Sequence, residues 1–298
     1  MNDKWLGQQE RSNLFLIKLI RAIASRTGRR FTRMFLPIIT LYFFLTSRST
    51  RQASRSYWLR VSGEKAGAWQ VFGHIYWFAA TVLDRVFFVT EQFEYFDIRI
   101  LNQNVVDDII EKYGKCILLG SHVGSFEVLR ALVVKNRSVP LKILMYRGHN
   151  EMVTSVLESL NADIADTVID LGDENAIFNI QEATDQGYSI GMLGDRDTGN
   201  ERLVRCQLLG GDVELPAGPF LLASILKLPV VMFYGLYRGG NRYDICFDLL
   251  GERISINRKQ REQDVTEIVA RYVASIEKYV RIEPKNWFNF YDYWHEQG

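Results

Sequence analysis

From about Asn104 onward the chain alternates short apolar runs with segments of helical periodicity, and this alternation restricts the available folds more than any other feature of the sequence. Cys116 to Gly120 (CILLG), Leu141 to Tyr146 (LKILMY), Asp166 to Leu171 (DTVIDL), Tyr188 to Leu193 (YSIGML), Pro229 to Tyr234 (PVVMFY) and Tyr243 to Phe247 (YDICF) read as strands. Helical patterns run over Phe126 to Val134, Glu151 to Leu160, Asn175 to Asp185 and Pro219 to Leu228. The clearest helix carries Val265, Ile268, Val269, Tyr272, Val273, Ile276, Tyr279 and Val280 on one face, and Pro284 stops it. The expected fold is therefore α/β, a mixed central sheet flanked by helices. With no repeat and no Pro/Ser-rich linker, residues 63–298 form one α/β domain, preceded by a helical segment over 1–62.

The two parts differ in charge. The whole chain of 298 residues is nearly balanced, with 36 Lys and Arg against 35 Asp and Glu, which gives no reason to expect nucleic acid as a partner. Residues 1–62 nevertheless hold twelve basic side chains and only two acidic ones, Asp3 and Glu10. Within them Met34 to Thr46 (MFLPIITLYFFLT) is strongly apolar, but thirteen helical residues reach about 20 Å against a hydrocarbon core of roughly 30 Å. Arginines flank it on both sides, no small-residue cleavage site follows, and Leu14 to Ala24 shows an interfacial pattern. The expectation is a monotopic anchor on the cytoplasmic face of a membrane, the alternative being a pair of core helices. The block Ala66 to Phe88 reads equally as embedded surface or as a core helix. Cys116, Cys206 and Cys246 have no ligand spacing and read as reduced core thiols.

Large enzyme classes are closed off by missing motifs: GxSxG, GxxxxGK[ST] and a GxGxxG following a strand. What remains is GSHVGSFE, Gly120 to Glu127, at the carboxyl end of the first strand, the edge at which open α/β sheets bind ligands. His122 and Glu127 make an HxxxxE pair in which the carboxylate folds back on the imidazole, fixes its tautomer and raises its basicity. With no serine beside it, such an imidazole takes a proton from the hydroxyl of a second substrate. Gly124 allows close approach of substrate, and N–H groups at the following helix start are candidates to hold an oxyanion. Arg147, after LMY, and Asp195 and Asp197, in GDRD after YSIGML, fall on the same sheet edge. No obligatory metal or cofactor is expected. His74, His149 and His295 read as structural or surface residues.

Taken together, these blocks resemble the bacterial lipid A biosynthesis lauroyl/myristoyl acyltransferases, within the lysophospholipid and glycerolipid acyltransferase superfamily. The likeness rests on SHVGSFE, MYRGHN, GMLGDRD, LPAGPFLLASILKLPVVMFYGLYR and the closing aromatic PKNWFNFYDYW, in order over nearly the whole chain. It implies transfer of a fatty acyl chain from an acyl thioester, usually acyl carrier protein, to a hydroxyl of a membrane lipid or glycolipid. Carried over, His122 is the general base, Glu127 orients it, Arg147 contacts phosphate, and Asp195, with Asp197, supports the site. Two positions differ from the family's pattern: Ser121 stands where Asn is common, and FYDYW replaces a closing motif rich in Trp, His and Arg. A non-catalytic membrane lipid binder and a thioesterase or lysolipid hydrolase are the alternative readings.

Overall fold

The computed structural model describes residues 28–129, 140–146, 166–197, 199 and 202–294. Residues 28–33 are helical, and three further helices follow: α1 Leu36–Thr46, α2 Arg48–Ser62 and α3 Ala68–Val89. Pro37 sits in the first turn of α1, where its missing N–H costs nothing, and Ser47 caps α2 by accepting from the Thr50 N–H. The block Ala66 to Phe88 forms a core helix, since α3 buries Val71, His74, Ile75, Leu83, Asp84, Phe87 and Phe88 among others. Helix α1 does the opposite, burying only Leu36 and Thr40. No helix among the described residues is long and apolar enough to cross a membrane. The expected interfacial pattern over Leu14 to Ala24 lies outside the described residues.

The body is an α/β fold. Its main sheet has seven strands: β1 Asp97–Leu101, β2 Ile117–Gly120, β3 Leu141–Met145, β4 Val168–Asp170, β5 Ser189–Leu193, β8 Val230–Tyr237 and β9 Arg242–Gly251. They lie in the order β1-β9-β8-β2-β5-β3-β4, and a separate hairpin joins β6 Leu203–Leu208 to β7 Gly211–Pro216. The sheet is mixed, as expected: β8 and β9 pair antiparallel and every other pair is parallel. Strands β2 and β8 are buried at every position, so they read as continuous apolar runs in the sequence. The remaining described helices are α4 Gln103–Tyr113, α5 Ala176–Asp185, α6 Gly218–Leu226 and α7 Arg261–Ile282. All eight apolar positions expected on α7 are buried. Pro284 begins a short 3-10 turn after it.

Strand β1 and the β6–β7 hairpin had no clear signal in the sequence. Strand β1 is an edge strand whose outward positions Asp97 and Arg99 dilute its apolar character. The hairpin turns at Leu209 and Gly210, both at positive φ (50° and 71°), a backbone usually announced by Asn-Gly rather than Leu-Gly. The expected helix Glu151 to Leu160 lies outside the described residues, as does most of Phe126 to Val134.

Candidate active site

The centre of the sheet places two side chains together by register alone. Gly120 pairs with Leu193 across the parallel strands β2 and β5, and His122 and Asp195 each follow two residues later. Adjacent strands are about 4.8 Å apart, so both residues leave the sheet at its carboxyl edge as immediate neighbours. The imidazole Nδ1 stands 2.8 Å from Asp195 Oδ1, and the His122 backbone N–H donates to Asp195 Oδ2 at 2.9 Å. A third donor, the Asn289 amide, lies 3.4 Å from Oδ2, and the Tyr293 hydroxyl donates to the Asp195 carbonyl at 2.6 Å. Asp195 is 1% exposed.

Charge state and tautomer follow from these contacts. Burial by itself would push the Asp195 carboxyl up. The His122 ring and backbone N–H, with the Arg196 guanidinium, outweigh it and hold the group below its ordinary range. An ionised carboxylate only accepts, so Nδ1 carries the shared proton and Nε2 of the neutral ring keeps its lone pair. Burial and the nearby Arg196 depress the His122 pKa, against the opposing pull of Asp195, so the ring is neutral near pH 7. Among the described residues Nε2 has no hydrogen-bond partner, and about a quarter of the His122 side chain remains exposed. Buried Asp, neutral His and an Nε2 without a partner among the described residues match the geometry of the proton-accepting half of a triad.

Glu127 does not hold the ring. Its Oε1 is 2.7 Å from Arg85 Nε on α3, and Oε2 accepts from the Ser125 hydroxyl at 3.2 Å. The reason is the turn at Gly124, whose φ of +81° swings the chain onto β8 and directs Glu127 toward α3. Gly124 itself serves backbone packing: a Cβ there would stand 2.2 Å from the Gly235 carbonyl oxygen. The N–H groups of the loop that precedes the expected helix start are engaged within the fold. The Gly124 N–H donates to the Asn286 carbonyl and the Ser125 N–H to that of Gly235, both at 2.8 Å, while the His122 N–H serves Asp195. Ser121 is buried, and its hydroxyl has no hydrogen-bond partner among the described residues. Asp197 closes its own loop by accepting from the Gly199 N–H at 2.7 Å. Arg147, His149 and His295 lie outside the described residues.

The closing aromatic segment is a lid packed on the body. Trp287, Phe288, Asn289 and Trp294 are buried, and the Phe288 N–H donates to the His122 carbonyl at 2.9 Å. Tyr57 of α2 stacks on Trp287 at 5.8 Å, and Phe78 of α3 meets Phe288 and Phe290. His74 lies beneath, with Nδ1 2.9 Å from the Ser54 hydroxyl and Nε2 2.5 Å from the Trp287 carbonyl, a structural residue as expected. The N-terminal helices thus rest against the same lid that touches His122. Sequence reasoning missed Arg196, Asn289 and Tyr293 because their partners are distant in the chain. The only hint was the polar Asn289 inside an aromatic run.

Among the described residues there is no cluster of His, Cys, Asp and Glu able to hold a metal ion. Burial pushes the Cys116 thiol up to about 12 and those of Cys206 and Cys246 up to about 11, so none is a ready thiolate nucleophile. A family model described as bacterial lipid A biosynthesis acyltransferase matches residues 79–296, which include every residue of the site described above except those contributed by α2 and the start of α3. No curated protein matches the chain.

Proposed function

The chain belongs to the bacterial lipid A biosynthesis acyltransferase family, and from that premise we propose that it moves a fatty acyl chain from an acyl thioester, carried by acyl carrier protein, to a hydroxyl of a membrane lipid or glycolipid. His122 Nε2 takes the proton of the acceptor hydroxyl as its oxygen attacks the thioester carbonyl. The C–S bond then breaks, the acyl group stays on oxygen, and the imidazolium returns its proton to the departing thiolate. Asp195 holds the tautomer and stabilises the transient imidazolium. Glu127 contributes from one step away, by fixing Arg85 and the turn that carries the histidine.

The observation supporting this reading is the buried Asp195 carboxylate on Nδ1, which leaves the opposite nitrogen lone pair at the ligand-binding edge of the sheet. The second substrate supplies the nucleophile, so no enzyme serine is required.

We infer further that α1 lies on the cytoplasmic face of the inner membrane. Met34, Ile38, Leu41 and Leu45 recur at helical spacing, and their exposures run from 47% to 71%. Residues 28–63 contain seven arginines and no acidic residue, and Arg30, Arg48 and Arg55 are exposed. An apolar stripe rimmed by cations suits an anionic lipid surface. Because α2 and α3 also support the lid over His122, this contact sets the base beside the bilayer that carries its acceptor.

The test is incubation of the purified protein with acyl carrier protein thioesters and hydroxylated lipid acceptors, followed by mass spectrometry. An acceptor heavier by one acyl group, with free carrier thiol in equal amount, is expected. Free fatty acid formed regardless of acceptor, or full turnover by His122→Ala, overturns the proposal.

A further inference from the structure

Arg196 sets a problem that the lid solves. It is a half-buried cation directly after the one carboxylate that His122 needs. A guanidinium free to rotate beside a buried carboxylate closes onto it as a bidentate pair, the strongest contact available to either group. Such a pair would occupy the oxygens of Asp195 and release the imidazole. The structure holds the guanidinium elsewhere. Its Nε donates to Asn289 Oδ1 at 2.8 Å, one terminal nitrogen donates to the Phe288 carbonyl at 3.2 Å, and its central carbon Cζ lies 5.6 Å from the Tyr291 ring centre.

Asn289 does two things with one amide. Its oxygen accepts from the cation, and its nitrogen faces Asp195 Oδ2 at 3.4 Å. The charges on either side dictate that orientation, since the reverse would set oxygen against carboxylate and N–H against guanidinium. Asn289 is 2% exposed, so no water replaces either contact cheaply.

We propose that Asn289 is a positioning residue which holds Arg196 off Asp195 and so reserves that carboxylate for His122. Arg196 is kept close enough to act on the ring by its charge and too firmly tethered to compete for the ring's partner. A side chain in the aromatic lid therefore controls the base without touching the ring. The inference rests on the reading of His122 as a proton acceptor in acyl transfer, but its structural content is measurable without substrate.

The test is NMR of histidine-labelled full-length protein, with His122 assigned by its absence in His122→Ala, alongside acyl-transfer kinetics. The native protein should show the low-field Nδ1 proton of a carboxylate-bound imidazole. Asn289→Ala should lose that signal and lower kcat about 10- to 100-fold, taking the range known for outer partners of metal-binding histidines as the guide, with KM nearly unchanged. Adding Arg196→Gln to Asn289→Ala removes the competitor, and should restore the signal and roughly tenfold of the rate. A double variant no better than Asn289→Ala, or an Asn289→Ala protein that keeps the signal, overturns the proposal. Should Asn289→Ala fail to fold, Asn289→Ser, too short to span Arg196 and Asp195, takes its place in the same comparison with and without Arg196→Gln, and is read by the same outcomes. A native protein with the signal but no turnover refutes the acyl-transfer reading and leaves this inference standing.

Discussion

Gly124 and Gly235 meet backbone to backbone, and a Cβ on either would stand 2.2 Å from a carbonyl oxygen of the opposing segment, that of Gly235 or of Ser125. This contact turns the chain after His122 and lays Gly124 and Ser125 against Gly235 of β8, while Val123 bridges to Trp287. Alanine at either position should destabilise the protein by about 3 kcal/mol or more, since backbone must shift on both sides. Urea unfolding of Gly235→Ala, where φ adds no penalty, isolates the steric part.

Three substitutions around the base should rank in a definite order. His122→Ala should slow acyl transfer by roughly 10² to 10⁴, and Asp195→Asn should fall in the same range because the tautomer is lost. Glu127→Gln, whose carboxylate faces Arg85 at 2.7 Å, should cost far less. Single-turnover rates at saturating donor measure this ranking. Equal losses for Glu127→Gln and Asp195→Asn would return Glu127 to the ring.

Activity should rise with pH through one ionisation lying below the ordinary imidazole range. A general base at His122 would work only when neutral, and burial together with Arg196 depresses the His122 pKa. A pH–kcat/KM profile of the purified enzyme reads this directly; a midpoint above 6.5 contradicts it.

Stability should fall on acidification through His74. Burial, with Lys285 nearby, lowers this ring to about 4 despite its bond to Trp287, so between about 4 and 6.5 the unfolded chain binds a proton that the folded one refuses. Stability is therefore retained above 6.5 and lost as pH drops toward 4, by about 3 kcal/mol in full. His74→Gln, which keeps a donor for the Trp287 carbonyl, should flatten that slope when unfolding is compared at pH 7 and 4.5.

Membrane attachment should depend on the exposed face of α1. Leu41→Glu with Leu45→Glu should release the protein from anionic vesicles, whereas Arg48→Gln with Arg55→Gln should weaken binding by about 1 kcal/mol per charge. Vesicle co-sedimentation at low and high salt separates the two contributions. Undiminished sedimentation of the double glutamate variant at high salt would exclude this face.

Much of the architecture was legible in the linear sequence because it is local. Continuous apolar runs such as those of β2 and β8 arise wherever a strand is covered on both faces, and the spacing of Val265 through Val280 needs only one buried helix face. His122 at a strand end was legible for the same reason. Strand β1 escaped notice because an edge strand with Asp97 and Arg99 facing outward carries no such run.

The partner of that histidine was a different kind of question. Glu127 is five residues away and Asp195 is seventy-three, so spacing along the chain favoured the wrong carboxylate. The parallel register of Gly120 against Leu193 brings Asp195 within 2.8 Å, and the turn at Gly124 sends Glu127 to Arg85. Sequence periodicity reports which faces are buried, because burial acts on each element separately. Which charged groups then meet depends on strand order and register, and those exist only once the sheet has assembled.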